Sequence, residues 1–239
     1  MVTNWRIAVA AALPWIVVAG AALGAVGCAA PAVSMQEGAR EYVASDYDSV
    51  LDVWTRTETV FLFSELERAL TVTATFESWD FRWAYVIRYA NDYRLTVAQR
   101  QRLLKQATEE TRLAHQFFVA LYGGDKRQND LTKPASAWIV RLIDSTGNET
   151  APEEVIAIRK PSALEQRYYP YNTVWRQAFR VRFPTASRDG RPTLSPQATW
   201  VGLRFAGAKG NTDLVWDLEK QATTGGKDTQ ARLILAPPP

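Results

Sequence analysis

Cysteine and histidine are almost absent from the 239-residue sequence, which has one of each, Cys28 and His115. A single cysteine cannot close a disulfide within the chain, and the common zinc sites need several Cys or His ligands. Glu109 and Glu110 are not three or four residues from His115, so neither shares its face on a helix. We therefore expect no metal site and no cofactor.

Recognisable catalytic motifs are lacking as well. No Gly-x-Ser-x-Gly sequence is present, and this motif is the usual signature of a serine hydrolase nucleophile. The carboxylate pairs Glu109/Glu110 and Glu153/Glu154 offer an acid and a base in principle, but adjacent residues on a helix point about 100° apart. The second pair precedes a predicted strand. We identify no catalytic residue, and an enzyme is the less favoured hypothesis.

An excess of charge of either sign is also missing. The chain has 28 basic and 25 acidic side chains, a net charge of +3. A balance so close to neutral gives no general argument for binding nucleic acid, although the sequence pI is about 9.0. We expect no nucleic-acid partner.

The first 27 residues have the pattern of an export signal. Arg6 is their only charge, and an almost unbroken apolar run follows over residues 7–26. A run of about 20 apolar residues can also span a bilayer as a permanent helix. Pro14, Gly20 and the small residues before Cys28 instead favour a signal peptide that is removed after residue 27.

The motif Ala25-Val26-Gly27-Cys28 resembles the lipobox of bacterial lipoproteins. The resemblance implies that the Cys28 thiol receives a diacylglyceryl group, that the chain is cut before it, and that the new amino group is acylated. Three acyl chains exceed the two hydrophobic signals that stable attachment to a membrane requires. Because Ala29 rather than Asp follows the cysteine, the resemblance further implies the outer membrane if the source is Gram-negative. It covers only the leader, and we recognise no family for the folded domain.

Three parts are expected beyond the leader. Residues 28–47 are predicted to be a lipidated tether, residues 48–220 one folded domain, and residues 221–239 a flexible tail that ends in three prolines. A domain of this length can bury a sizeable core.

Apolar residues at every second position predict seven strands in the domain. The clearest case runs from Leu70 to Phe76, where apolar residues and threonines alternate strictly. The strands are expected near residues 49–63, 70–76, 136–143, 154–159, 174–183, 199–206 and 212–218.

Two helices are expected between the second and third predicted strands, over about residues 78–124. Four aromatic residues recur every fourth position and form one stripe on the first helix: Phe81, Tyr85, Tyr89 and Tyr93. Thr96 and Gln99 form a capping box for the second helix, which is expected to end at Gly123-Gly124 with Phe118 and Leu121 on its buried face. The predicted fold is mainly β, a seven-stranded antiparallel sandwich of immunoglobulin or transthyretin type with a two-helix insertion.

Two surfaces are candidates for contact with a partner. Arg176, Arg180 and Arg182 alternate with the apolar residues of strand 174–183, so they form a predicted row of exposed cations that Arg204 extends. Such a row suits an anionic envelope component or an acidic protein, but an exposed polar face is also ordinary for an antiparallel sheet. The aromatic segment Tyr168-Tyr169-Pro170-Tyr171 is either a binding loop or a lid folded over the end of the sandwich.

Two functional hypotheses follow. The first is an envelope lipoprotein, anchored through Cys28, that acts as a non-enzymatic binding or assembly module for a protein or an anionic envelope partner. By architecture alone it resembles the lipoproteins of secretion-system membrane complexes. The alternative is a protein that binds or hydrolyses cell-wall or surface glycans with exposed aromatic residues and paired carboxylates. Burial of Tyr85 and Tyr89 would favour the first hypothesis, and exposed coplanar rings the second.

Overall fold

The computed structural model describes residues 30–62, 67–124 and 126–219, and it is mainly β, with strands in two antiparallel sheets. The helices are a 3-10 turn at Ala44–Asp46 and four α-helices: α1 (Tyr47–Trp54), α2 (Trp79–Asp92), α3 (Val97–Leu113) and α4 (Ala163–Tyr168). The strands are β1 (Thr55–Leu62), β2 (Glu67–Phe76), β3 (Ala114–Tyr122), β4 (Ile139–Asp144), β5 (Glu149–Thr150), β6 (Glu154–Ile158), β7 (Gln177–Pro184), β8 (Trp200–Gly207) and β9 (Gly210–Asp217). The five-stranded sheet has the order β1-β2-β3-β7-β6, and the four-stranded sheet the order β5-β4-β8-β9.

The two sheets pack against each other through their inner faces. Alternate residues of β7, among them Phe179 and Val181, are 1% and 0% exposed. Across the core, the ring centroids of Phe117 in β3 and Trp216 in β9 are 5.6 Å apart. Arg56 of edge strand β1 donates from Nε to the carbonyl oxygen of Val215 at 2.9 Å, which links the two sheets along one side.

The outer face of the five-stranded sheet is covered too. Phe118, which points away from the inner face, stacks on Tyr169 with ring centroids 3.8 Å apart and planes within 3°. Helix α2 begins at the N-cap Ser78, whose hydroxyl accepts a hydrogen bond from the Phe81 amide at 3.2 Å. Phe81 lies 6.1 Å from the ring of Tyr169, so this helix closes over the same face. The central strands are therefore buried on both sides.

The segment before α1 is part of the fold. Val33 is 2% exposed and forms a parallel bridge with Leu218, its amide donating to the Asp217 carbonyl at 2.8 Å. Arg40 donates from Nε to an Asp80 carboxylate oxygen at 2.8 Å. The prediction of a tether over 28–47 is therefore wrong from Val33 onward, because these residues contact partners far along the chain.

Several predicted elements need correction. Helices α2 and α3 do lie between β2 and β3, and the capping box of Thr96 and Gln99 is present, but α3 ends at Leu113. The next residues form β3, so the predicted helix over 114–122 is wrong. The first predicted strand, 49–63, is helical up to Trp54. With β3 and the two-residue β5 added, the described residues form nine strands, so the expected count of seven is wrong.

Candidate functional site

The prediction that four arginines form one row of exposed cations is wrong. Arg180 and Arg182 are half-buried on the helix-covered outer face, where Arg180 is the pairing partner of Phe118. Arg182 lies 3.7 Å from a Glu153 carboxylate oxygen and 3.8 Å from one of Glu154. Its positive charge is therefore compensated within the domain.

The other two arginines of that row lie elsewhere. Arg204 belongs to the four-stranded sheet, where it makes a two-pronged ion pair with Asp213 at 2.8 and 2.7 Å. Arg176 precedes β7 and donates from Nη1 to Thr73 Oγ1 at 2.6 Å. The sequence places these cations on alternate positions, but only the tertiary structure supplies the groups that pair with them.

The aromatic segment folds back onto the sheet. Tyr168 and Tyr169 are 2% and 3% exposed, and the Tyr171 hydroxyl lies 2.6 Å from Thr75 Oγ1. Tyr168 donates its hydroxyl proton to an Asp92 carboxylate oxygen at 2.8 Å, which ties the end of α4 to the end of α2. Of the two alternatives for this segment, the lid therefore describes it, and the two buried tyrosines are not accessible to a partner.

The tyrosine stripe of α2 is largely packed. Tyr85 and Tyr89 are half-buried, and the Tyr85 ring lies 4.9 Å from that of Tyr168. Tyr93, which stacks on Tyr89 at 4.4 Å, is 55% exposed. The stripe therefore docks the helix rather than presenting a row of open rings.

A buried ion pair fixes the start of α2 to the lid segment. The Glu77 side chain is 1% exposed and accepts hydrogen bonds from Tyr169 Oη and from Arg82 Nη2, both at 2.5 Å. Burial and the charge of Glu77 raise the pKa of Tyr169 well above its usual value, so its hydroxyl stays protonated and donates. Burial opposes the charge on Arg82, but the surrounding acidic groups, of which Glu77 contributes most, together outweigh it and raise the pKa of the guanidinium. The three side chains pair with one another, so we assign this cluster a structural role.

A cleft of about 880 Å³ opens at one end of the five-stranded sheet, and we call it the Trp175 cleft. It is lined by residues 157–159 at the end of β6, by 172–179 before and within β7, and by Lys126 and Asp130 from the loop after β3. Its volume lies within the range of about 300–1,000 Å³ typical of small-molecule sites.

Two large apolar side chains stand exposed beside this cleft. Val174 is 80% and Trp175 is 71% exposed. Trp175 is predicted by alternation to face inward from strand 174–183, and that expectation is wrong. Residues before Gln177 form a turn, in which the Arg176 amide donates to the Thr173 carbonyl at 3.0 Å, so the alternation does not extend to Trp175.

The charge lining the cleft is mainly positive. Lys126, Arg159 and Arg176 face the single carboxylate of Asp130 among the described lining residues. A hydrogen bond from the Thr132 hydroxyl, with the nearby charges of Lys133 and Arg159, lowers the pKa of Asp130. Burial lowers the pKa of Arg176. The cleft thus favours a ligand with negative charge.

An unpartnered amide lies within the cleft lining. Asn172 is 5% exposed, yet among the described residues neither its Nδ2 nor its Oδ1 has a hydrogen-bond partner. Buried polar side chains are nearly always hydrogen-bonded, and an exception calls for a specific explanation. A ligand in the cleft would provide one. Sequence reasoning missed this residue, because nothing local distinguishes it from an ordinary turn asparagine.

His115 lies in β3, not on a helix as the sequence pattern indicates, and lines a separate cavity of about 480 Å³ beside Met35, Leu194 and Val201. Burial lowers its pKa to about 4. His115 also lines a second, smaller cavity of about 250 Å³. The charged groups that line these two cavities are Glu37, Glu77, Arg112 and Glu219.

Acid should destabilise the domain through this histidine. The unfolded chain binds a proton on His115 near pH 6.5, whereas the folded chain does so only near pH 4. The free energy of unfolding therefore keeps its full value above about pH 6.5 and decreases as the pH falls toward 4. The thermal midpoint should be lower at pH 5 than at pH 7, by roughly 2–4 °C for each kcal/mol lost. His115→Gln should show a smaller difference between the two pH values. An equal difference in both proteins would contradict this assignment.

Comparisons with protein-family models, with curated protein sequences and with solved structures found no match. In the ranges that the structure describes, no helix is long and apolar enough to cross a membrane. Cys28, the predicted lipidation site, lies outside the described residues. The Trp175 cleft is therefore the candidate site, and its support comes from the chain's own residues.

Proposed function

We propose that this chain is a lipid-anchored protein of the bacterial cell envelope that acts as a non-enzymatic binding module, with the Trp175 cleft as its recognition site. One observation carries the binding role: an exposed indole lines the same cleft as a buried amide that has no hydrogen-bond partner in the described part of the chain. The sandwich of immunoglobulin or transthyretin type is the proposed scaffold. Since such scaffolds host many functions, the site rather than the fold carries the argument.

The lipobox motif that ends at Cys28 supports the anchor. An extended chain spans at most about 3.3–3.6 Å per residue, so the stretch from Cys28 to the buried Val33 reaches no more than about 18 Å. The proposed lipid would therefore hold the domain close to the bilayer, with the edge formed by Val33 and Leu218 toward the membrane. The outer membrane is the proposed location in a Gram-negative source.

Binding is favoured over hydrolysis by the groups in the cleft. Glycoside hydrolysis ordinarily requires two carboxyl groups on either side of the scissile bond. Among the described lining residues the cleft offers Asp130 alone, whose low pKa keeps it ionised and unsuited to donate a proton. The exposed indole and the cations suit recognition of a protein or an anionic envelope component. Glycan binding, one half of the alternative hypothesis, remains compatible with the same groups.

The anchor is tested by Cys28→Ser, which should abolish lipidation because only the thiol accepts the diacylglyceryl group. The measurement is incorporation of a clickable fatty acid in the native host, followed by separation of membrane and soluble fractions. The double variant Cys28→Ser/Ser34→Cys is a matched control: it restores a thiol at the wrong position and should stay unlabelled. Equal labelling of wild type and Cys28→Ser would overturn the lipoprotein proposal.

A further inference from the structure

We propose that the ligand of the Trp175 cleft is an acidic saccharide: a sugar ring stacks on Trp175, its carboxylate or phosphate faces Arg159, Arg176 and Lys126, and its hydroxyls pair with Asn172. The inference rests on the proposed function for the cleft as the binding site. It does not depend on the lipid anchor.

The stacking surface is the exposed indole. The faces of aromatic rings carry partial negative charge, so they attract the weakly positive C–H hydrogens on one side of a pyranose. Trp175 is 71% exposed, whereas Phe179, the other aromatic residue of the described lining, is 1% exposed. Nucleobases also stack on exposed aromatic side chains, so the titration includes a nucleotide.

The cations select for an acidic sugar. Among the described residues, no carboxylate oxygen lies within 4.0 Å of a charged nitrogen of Lys126, Arg159 or Arg176, unlike Arg182 and Arg204, which have such partners. Charge-assisted hydrogen bonds from guanidinium groups to carboxylate or phosphate are shorter and stronger than neutral ones. The described lining thus has three cations and one carboxylate, Asp130, so a ligand that bears one of these groups uses the net positive charge, and a neutral sugar does not.

The amide completes the recognition. A side-chain amide offers one acceptor and two donors, and Asn172 leaves both atoms unpaired while it is 5% exposed. Neighbouring hydroxyls of a sugar can each donate and accept, so they match both ends of this group once its side chain turns from the enclosed position toward the cleft. The unpartnered amide thus distinguishes a polyhydroxyl ligand from one that offers negative charge alone.

The experiment is calorimetric titration of the full mature protein, purified in detergent, with four probes. Tetragalacturonate is the acidic saccharide, maltotetraose the neutral one, tetraglutamate the acidic chain without sugar rings, and adenosine monophosphate the nucleotide. We expect tetragalacturonate to bind at least about tenfold more tightly than each of the others, a difference of about 1.4 kcal/mol. Added salt should weaken its binding.

Two variants test the residues. Trp175→Ala and Arg159→Gln should each weaken binding of tetragalacturonate at least about tenfold, through loss of stacking and of charge. Tyr93→Ala and Arg191→Gln are the matched controls, since both residues are exposed and neither lines the cleft, and both should leave binding unchanged.

Asn172→Ala separates a recognition role from a structural one. Because the amide has no hydrogen-bond partner within the described ranges, its removal should weaken binding without lowering the thermal midpoint. The matched control is Asn129→Ala: Asn129 is 4% exposed and accepts a hydrogen bond from Trp138 Nε1 at 3.0 Å, so its loss should lower the midpoint.

The inference would be overturned by no binding of tetragalacturonate to folded wild type, by equal binding of maltotetraose, or by equal or tighter binding of tetraglutamate or the nucleotide. Unchanged affinity in the Trp175 and Asn172 variants would place the saccharide outside this cleft and equally overturn it. The anchor is scored separately by fatty-acid labelling. If the titration shows no binding but labelling is normal, only the proposed ligand class is overturned. If wild type is not labelled, the anchor proposal is overturned and the titration result still stands.

Discussion

Glu77→Ala should lower the free energy of unfolding by about 3–5 kcal/mol, the loss typical when one partner of a buried ion pair is removed. The carboxylate accepts hydrogen bonds from Arg82 and Tyr169, and the Glu77 side chain is 1% exposed. Its truncation removes this acceptor from the Tyr169 hydroxyl and from the guanidinium of Arg82, whose side chain is 15% exposed and whose remaining carboxylate neighbour, Glu110, lies 3.9 Å away. Urea denaturation followed by circular dichroism measures the change.

Removing both charges provides the control. The double variant Glu77→Leu/Arg82→Leu no longer contains a buried unpaired charge, and such replacements are often neutral or even stabilising. We expect it to lose clearly less stability than Glu77→Ala, so the effects of the two sites are not additive. A double variant as unstable as the sum of the two single variants would contradict the view that the penalty comes from an uncompensated charge.

Phe179→Ala should also lower the free energy of unfolding by about 3–5 kcal/mol, because the lost transfer free energy and the remaining cavity both contribute. Phe179 is 1% exposed on the inner face of β7, beside Val119 of β3 in the pairing register. Thermal and urea denaturation measure the change.

Ile156→Ala is the matched control for this truncation. Ile156 lies in the neighbouring strand β6, on the outer face, and is 46% exposed. Its truncation should cost less than about 1 kcal/mol, as substitutions at the surface usually do. If both variants were equally destabilised, the assignment of inner and outer faces in β6 and β7 would be wrong.

The alternative hypothesis requires an accessible aromatic surface. In the structure this surface is Trp175 rather than the tyrosine stripe of α2. The rings of Tyr85 and Tyr168 pack together, whereas Trp175 stands free beside a cleft. The reason is local: a turn ahead of β7 interrupts the alternation that would have carried Trp175 into the core. The interruption therefore leaves Trp175, a predicted core residue, exposed as a candidate binding residue.

Local sequence signals determined the elements whose residue types alternate strictly or that carry their own caps. The alternation from Leu70 to Phe76 predicted β2, and the capping box at Thr96 predicted the start of α3. The missed elements carried signals of the same kind. Tyr47, Val50, Leu51 and Trp54 have helical spacing, and Ser162 with Glu165 forms a capping box at α4.

The tertiary structure alone decided what lies on the outer face of the five-stranded sheet. Because β3 is buried on both sides, its sequence is a nearly continuous apolar run without a period of two, and such a run cannot be told from a buried helix by pattern. The packing on this outer face also buries Tyr169 and leaves Arg180 half-buried. Glu77 pairs with Tyr169, and Val33 with Leu218, across distant parts of the chain, so no local pattern could assign these contacts. Arg204 and Asp213 instead face each other across the β8–β9 hairpin. Periodicity reports which residues share a face, and only packing determines what each face meets.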